Sequence, residues 1–539
     1  MQAYKNKGFW IGVFAFSIIV FIGYANFLPQ SLLALEGSPF ETNKGVQYID
    51  SKSAWFVLAV LVLMAIWWAT EALPVAVTSL LPLALFPLMD VANFQEAANP
   101  YANKNIYLFL GGFILALGIE RSGLHKRIAL KMITAVGSSG EKLIGGFMIV
   151  AASLSMFVMN TSTTLMLLPI GLAVCAVISS TTPDINDLQR KNFDTALMLG
   201  IAYAATIGGM STIIGTAPNI VFVTFMSETY GVEIDFLSWM KIGVPVSLSM
   251  LIAAWFILAK FVFPTNFISS NETKLRLDQM LLDLGPIKKD ELKIALVFGL
   301  AVIAWMTSRV IRTKFGIGLE DAGIAIIIAI ILFIIPSADG KKDLMVWDET
   351  SKLPWGLLLL FGGGLSLAAQ VSGTGLGIWI GQGLTVLKEV NPIILIFAVA
   401  TLIIFLTEMT SNVATTSTFL PVIGSLAIAI GVIPVSLTIP VCLAASCAFM
   451  LPVATPPNAI VYGSGKFTIA TMMKAGFFIN IIGILVVALF SSYLAALVFL
   501  YETNFLQSLL FLFLIYSSLT FIHLLLPFLT FLISHLFPS

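Results

Sequence analysis

The sequence is short of charge. Of its 539 residues only 10% are Asp, Glu, Lys or Arg, and 28 basic side chains balance 28 acidic ones to a formal net charge of zero. A soluble globular domain carries roughly 25% charge, so a large water-exposed fold is excluded. Zero net charge also leaves no basic field for nucleic acid. Cysteine is scarce: Cys175, Cys442 and Cys447 all stand in apolar runs, which gives no disulfide framework. The only histidines are His125, His523 and His535, and no Cys/His cluster has metal-ligand spacing. A membrane-embedded hydrolase needs a nucleophile–base pair, paired Asp residues or an HExxH motif, and no apolar segment holds one. The glycine run Gly362–Gly364 lacks the Lys and Ser/Thr of a phosphate loop and reads as close helix packing.

What the chain has instead is long oily runs. It is 58% hydrophobic, with a mean hydropathy of +1.00. At about 20 residues per crossing, it is an all-α, polytopic membrane protein of about 11 spans. Residues 1–53 read as a first transmembrane helix (9–28), with Lys5 and Lys7 on the cytoplasmic side, and an outer loop. Spans follow at 54–72 and 74–92, then a short Gly-containing stretch at 105–120. The basic run Arg121, His125, Lys126, Arg127 and Lys131 marks the cytoplasmic side. A first repeat therefore occupies 54–262, and a charged, leucine-patterned segment at 263–293 reads as an amphipathic cytoplasmic linker. A second repeat follows at 294–502. The hydrophobic extension at 503–539 is either an additional span or an addition of unnatural origin.

Three features recur in the same order in both halves. Ser122-Gly123 matches Ser372-Gly373, Asn160 matches Asn412, and GTAPN (215–219) matches ATPPN (454–458). The offsets are 250, 252 and 239, and a polar insertion near 181–192 accounts for the drop. Basic residues follow the first Gly-rich stretch, but only Lys388, beside Glu389, follows the second. That asymmetry favours two inverted-topology repeats over parallel ones.

Polar breaks interrupt the apolar runs at 155–164, 208–219, 407–418 and 446–458. An unsatisfied polar group in hydrocarbon costs several kcal/mol, so irregular backbone at that depth is buried in protein or lines a cavity. Half-helix N-termini favour anions. Unwound carbonyls with Ser, Thr and Asn oxygens suit a hard cation such as sodium. Hydroxyls in membrane helices also bond back to their own backbone or glue helices together, but Asn-plus-hydroxyl clusters occurring twice, each upstream of a Gly/Pro break, are less easily explained that way. Glu408 is the one acid inside a break; it is either a proton carrier or a structural cap. With so few carboxylates, the breaks suit an anionic substrate better than a cationic one.

Residues Ala445 to Val461 read ASCAFMLPVATPPNAIV. They fit the pattern small-Ser-x-x-Phe-x-x-Pro-aliphatic-small-x-x-x-Asn-x-aliphatic-Val at every specified position. In this the chain resembles the divalent anion:sodium symporter family of dicarboxylate, citrate and sulfate transporters, over roughly 50–500. The resemblance implies a re-entrant helical hairpin and a broken transmembrane helix in each repeat, a homodimer, and elevator-type alternating access. It places one sodium at Ser155, Asn160, Gly215 and the Met159 carbonyl, and another at Thr407, Asn412, Ala454 and the Thr410 carbonyl. Substrate carboxylates would meet Asn160, Thr161, Ser411, Asn412 and Thr455, near Thr216 and Pro456. Two positions depart from the family's Ser-Asn-Thr tips. Met159 replaces the first serine, and Val413 replaces the second threonine, so Val413 is expected to bear on substrate choice.

The implied activity is sodium-coupled uptake of a C4-dicarboxylate such as succinate with two or more co-transported sodium ions. The setting would be a bacterial inner membrane, with the N-terminus cytoplasmic. A sodium-independent di- or tricarboxylate exchanger on the same fold, sulfate transport, and a proton-coupled pump with Glu408 as carrier are the alternatives.

Overall fold

The computed structural model describes residues 5–42, 45–135, 139–181, 185–267 and 271–491, together with 494 and 498. The extension at 503–539 lies outside the described residues. The protein is nearly all helical. Its one sheet among the described residues is a two-stranded antiparallel hairpin, Pro39–Thr42 with Gly45–Tyr48, in the loop after the first helix, Lys7–Tyr24. Among the described residues nine helices are long and apolar enough to cross a membrane.

Both repeats use the same succession of elements. The first opens with helix Ser51–Thr70, started by the Asp50 carboxylate on the amides of Lys52 and Ser53. Two short helices follow, Val75–Thr78 and Leu81–Leu88. Next come a Gly-rich helix, Lys104–Ser122, and a short arm helix, Leu124–Ala135. Hairpin 1 consists of Gly140–Ser155 and Asn160–Thr181. Broken helix 1 runs Asp187–Gly209, unwinds, and resumes as Ala217–Tyr230. The closing helix, Phe236–Phe256, ends in a π-helical turn.

In the second repeat the same order reads Lys289–Phe315, Asp321–Ile334, Gly-rich Trp355–Gly373 and arm Leu376–Gly383. Hairpin 2 is Pro392–Thr407 and Asn412–Ala429. Broken helix 2 is Pro434–Ala445 and Pro456–Tyr462, and closing helix 2, Ile469–Val486, again ends in a π-helical turn. Between the repeats lies the amphipathic helix Asn271–Asp283.

One expected match shifts. Gly123 turns the first Gly-rich helix into its arm at φ +81°, ψ +4°, and the glycine with the same angles in the second repeat is Gly375, not Gly373. Only glycine visits this region without strain. The corrected pair lies 252 positions apart, the same offset as Asn160 and Asn412.

The repeats run in opposite senses. Asn103 and Lys104, at the start of the first Gly-rich helix, line one cavity with Gly373 and Thr374, at the end of the second. At the other end Arg121 donates to the Leu344 carbonyl at 3.3 Å, shortly before the second Gly-rich helix begins. Packing is reciprocal. The first Gly-rich helix lies on Asp321–Ile334, and the second on Val75–Thr78 and Leu81–Leu88. The resumed half of broken helix 1 packs on Asn412–Ala429, and that of broken helix 2 on Asn160–Thr181. The closing helices pack on each other. Such an exchange of equivalents is what a pseudo-two-fold axis produces.

The first arm is fastened by a buried ion pair. Arg127 Nε donates to Glu291 at 2.8 Å, and the guanidinium also reaches the carbonyls of Leu284, Gly285 and Pro286. A planar fork with five donors suits this crowded acceptor set.

Candidate functional site

Each hairpin closes its tip with one side-chain bond spanning five residues. In hairpin 1, Ser155 Oγ donates to Asn160 Oδ1 at 2.5 Å. In hairpin 2, Thr407 Oγ1 donates to Asn412 Oδ1 at 2.8 Å and stands 3.0 Å from the Ala445 carbonyl. The following turns also match: Thr164 bonds back to the Asn160 carbonyl and Thr416 to that of Asn412, both at 2.8 Å. The asparagines are therefore held at both ends of the residue, with Oδ1 facing a hydroxyl.

Each tip meets the break of its own repeat. A methyl group at Gly209 would stand 2.6 Å from Asn160 Oδ1 and 3.0 Å from the Gly215 carbonyl, so this tip, the end of the first half-helix and Gly215 share one small space. Thr212 Oγ1 bonds the Met156 carbonyl and fastens the tip to the unwound segment. On the second side the fastener is Glu408, which is only 3% exposed. Its Oε1 accepts from the amides of Phe449 at 2.7 Å and Met450 at 2.9 Å, and from Asn480 Nδ2 at 2.7 Å. Its Oε2 accepts from the Leu451 amide at 3.0 Å. Four donors on one carboxylate make Glu408 a cap of the second break. Its counterpart in the first repeat is Met156, which contributes only a carbonyl.

The breaks are stapled from within. Asn219 Nδ2 reaches the carbonyls of Gly209 at 3.1 Å and Thr212 at 2.7 Å. Its counterpart Asn458 reaches those of Ala448 and Leu451, both at 3.0 Å. Both side chains are fully buried. They answer the question an unwound membrane segment poses, namely where its carbonyls go. Behind each break the closing helix presents a glycine. A methyl group at Gly243 would fall 2.5 Å from the Met210 carbonyl, and one at Gly476 would strike the Phe449 carbonyl. Asn219 and Asn458 close the two motifs matched in the sequence, but their stapling role and the two glycines carry no signal there.

The predicted residues fall as follows. Ser155 and Thr407 are buried, with Gly215, Ala454 and Thr455 also inside. Met159, Asn160, Thr161, Thr216, Thr410, Ser411 and Asn412 are half-buried. Thr216 and Thr455 begin the resumed half-helices with nearly identical backbones, φ −144°, ψ 147° and φ −143°, ψ 149°. Thr410 Oγ1 is occupied by Thr415 at 2.7 Å. Pro456 is exposed, as are Met409 and Val453, so the second tip and break border open space. Val413 packs into the apolar core at 7% exposure, whereas Thr161, its counterpart, is half-buried.

The arrangement offers two clusters of neutral oxygens, hydroxyl, amide and carbonyl, of the kind that holds a hard cation. It also offers four helix starts, at Asn160, Ala217, Asn412 and Pro456, that carry partial positive charge.

A family model described as the sodium:sulfate symporter transmembrane region matches residues 47–500. The sodium-dependent dicarboxylate transporter SdcS of Staphylococcus saprophyticus is 40% identical over 439 residues, covering 80% of this chain and 85% of the relative. SdcS of Staphylococcus aureus (strain USA300) is 40% identical over 463 residues, 83% of this chain and 87% of the relative. The crystal structure of the Alcanivorax borkumensis YdaH transporter aligns with 90% of this chain and 98% of its own at 13% identity. Its TM-score is 0.48.

Proposed function

The chain belongs to the sodium:sulfate symporter family, and from that premise we propose that it couples the entry of sodium to the uptake of a divalent anion, a four-carbon dicarboxylate such as succinate. Membership makes it an integral, multi-pass transport protein rather than an enzyme. The name shared by its 40%-identical relatives supports both sodium and dicarboxylate.

The observation that carries the reading is the paired tip. Ser155–Asn160 and Thr407–Asn412 repeat one geometry on either side of a pseudo-two-fold axis, each beside an unwound helix. One sodium is assigned to Ser155, Asn160, Gly215 and the Met159 carbonyl. The other is assigned to Thr407, Asn412, Ala454 and the Thr410 carbonyl. The dianion is assigned to the helix starts between them, at Asn160, Thr161, Thr216, Ser411, Asn412, Thr455 and Pro456, with Val413 beneath the second tip.

Charge explains the coupling. A dianion entering against about −100 mV works against roughly 4.6 kcal/mol, at about 2.3 kcal/mol per charge. Two sodium ions cancel that charge, and a third makes entry electrogenic and favourable. Ions bind first, order the tips and complete the anion site. An elevator movement of hairpins and broken helices against the Gly-rich helices and arms then exposes the site on the other side. We place the protein as a homodimer in a bacterial inner membrane, with the N-terminus cytoplasmic.

The test is uptake into liposomes holding the purified protein, with labelled succinate, citrate or sulfate, under a sodium or a choline gradient. Succinate uptake that needs sodium supports the reading. Preference for sulfate reassigns the anion, and succinate counter-flow indifferent to sodium overturns the coupling.

A further inference from the structure

The two broken helices also bond to each other. Tyr203, on the first half of broken helix 1, donates its hydroxyl to the Phe449 carbonyl in the second break at 2.6 Å. Its counterpart on broken helix 2, at the offset of 239 that relates Gly215 to Ala454, is Cys442. The Cys442 thiol donates to Asn219 Oδ1, in the stapling asparagine of the first break, at 3.5 Å. All four residues are fully buried. Each broken helix thus carries one donor across the repeat boundary, from equivalent positions: Tyr203 reaches the second unwound segment, and Cys442 reaches the asparagine on Ala217–Tyr230 that staples the first.

Both crossings end on groups that lead directly to a tip. Phe449 is gripped by both of its backbone groups: Tyr203 holds its carbonyl, and Glu408, next to Thr407, holds its N–H at 2.7 Å. Asn219 is held by Cys442 and in turn holds the Gly209 carbonyl at 3.1 Å, beside Asn160.

We infer that Tyr203 and Cys442 are positioning residues that couple the two ion sites, so that ordering of one break by a cation lowers the cost of ordering the other. This rests on the sodium-symport reading above. The physical basis is shared conformational entropy. A ligand that rigidifies a segment bears its ordering cost, and a second ligand that finds the segment already rigid binds more tightly. A hydrogen bond from one broken helix to the break of the other, or to the side chain that staples that break, is a direct carrier of such coupling. The tyrosine bond is the stronger of the two, because a thiol is a weak donor.

The experiment is a sodium titration of succinate uptake in liposomes holding wild type, Tyr203→Phe, Cys442→Ala or Cys442→Ser. Tyr203→Phe keeps the ring against Phe449, where the centroids are 5.2 Å apart, and removes only the hydroxyl. The expected wild-type curve is sigmoidal. In Tyr203→Phe the Hill coefficient falls toward 1 and the half-saturating sodium rises about 5-fold, the lower end of typical site–site coupling. The maximal rate at saturating sodium is kept. Cys442→Ala moves the same way by less, and Cys442→Ser, which keeps a donor, holds the wild-type steepness. A sigmoidal wild type with an unchanged Tyr203→Phe curve, or one that loses only maximal rate, overturns the inference and leaves the transport reading standing. A wild type indifferent to sodium overturns both. Where Tyr203→Phe is not recovered folded, Cys442→Ala against Cys442→Ser decides: equal steepness in the two overturns the inference.

Discussion

Thr407 Oγ1 donates to Asn412 Oδ1 at 2.8 Å, and this one bond closes the tip of hairpin 2, while the same oxygen stands 3.0 Å from the Ala445 carbonyl at the end of the first half of broken helix 2. Replacing Thr407 with Val keeps the shape and removes the donor. A typical bond of this kind contributes about 0.5–1.5 kcal/mol. Half-saturating sodium for uptake therefore rises by roughly 2- to 10-fold, while the rate at saturating sodium stays near wild type. An unchanged sodium curve would remove Thr407 from the ion site.

Glu408 acts as a cap. With three backbone amides and Asn480 on its carboxylate, Glu408→Gln leaves buried donors mispaired at about 1–3 kcal/mol. The variant melts several degrees lower in detergent, and the residual sodium-driven uptake keeps the wild-type dependence on pH. A normal melting temperature together with a vanished pH dependence would instead make Glu408 a proton carrier.

The Arg127–Glu291 pair holds the first arm with both side chains below one-tenth exposed. Removing one partner strands a buried charge, at roughly 3–5 kcal/mol. Arg127→Met and Glu291→Leu are each expected to destabilise strongly, and the double variant is expected to recover much of the loss. Thermal melts of the three variants check this, and a double variant no better than the worse single one contradicts it.

His125 lies in that arm, outside the helices long and apolar enough to cross a membrane. Burial holds its pKa below the ordinary 6.5, while its Nδ1–H donates to the Ile119 carbonyl at 3.0 Å. The folded state thus binds a proton less readily than the unfolded chain. Its stabilising share is complete above pH about 6.5 and falls as the pH drops below that value. His125→Gln flattens the decline of melting temperature between pH 7.5 and 5, and a wild-type decline of equal slope would contradict the assignment.

The tips and breaks were legible because they violate the oily pattern around them. Asn160, Asn412 and the two Pro-Asn motifs are polar or helix-breaking where hydrocarbon penalises both. The inversion was legible through one charge asymmetry after the Gly-rich helices. What stayed hidden depends on contacts between distant residues. The donors to Glu408 lie 41 to 43 and 72 residues away, and Tyr203 is 246 residues from Phe449. No local pattern marks them. Gly243 and Gly476 look like ordinary small residues until a carbonyl is seen against them. The pair Pro39–Thr42 and Gly45–Tyr48 lies in a stretch that reads as outer loop, since strands of four residues with mixed polarity carry too little alternation to stand out.

The most direct test of the account runs the coupling backwards. Liposomes holding the protein are given an inward succinate gradient with equal sodium on both sides, and the entry of radioactive sodium is followed. Sodium-coupled symport predicts that succinate drives sodium in, with two or more ions per succinate. Succinate entry that moves no sodium contradicts it.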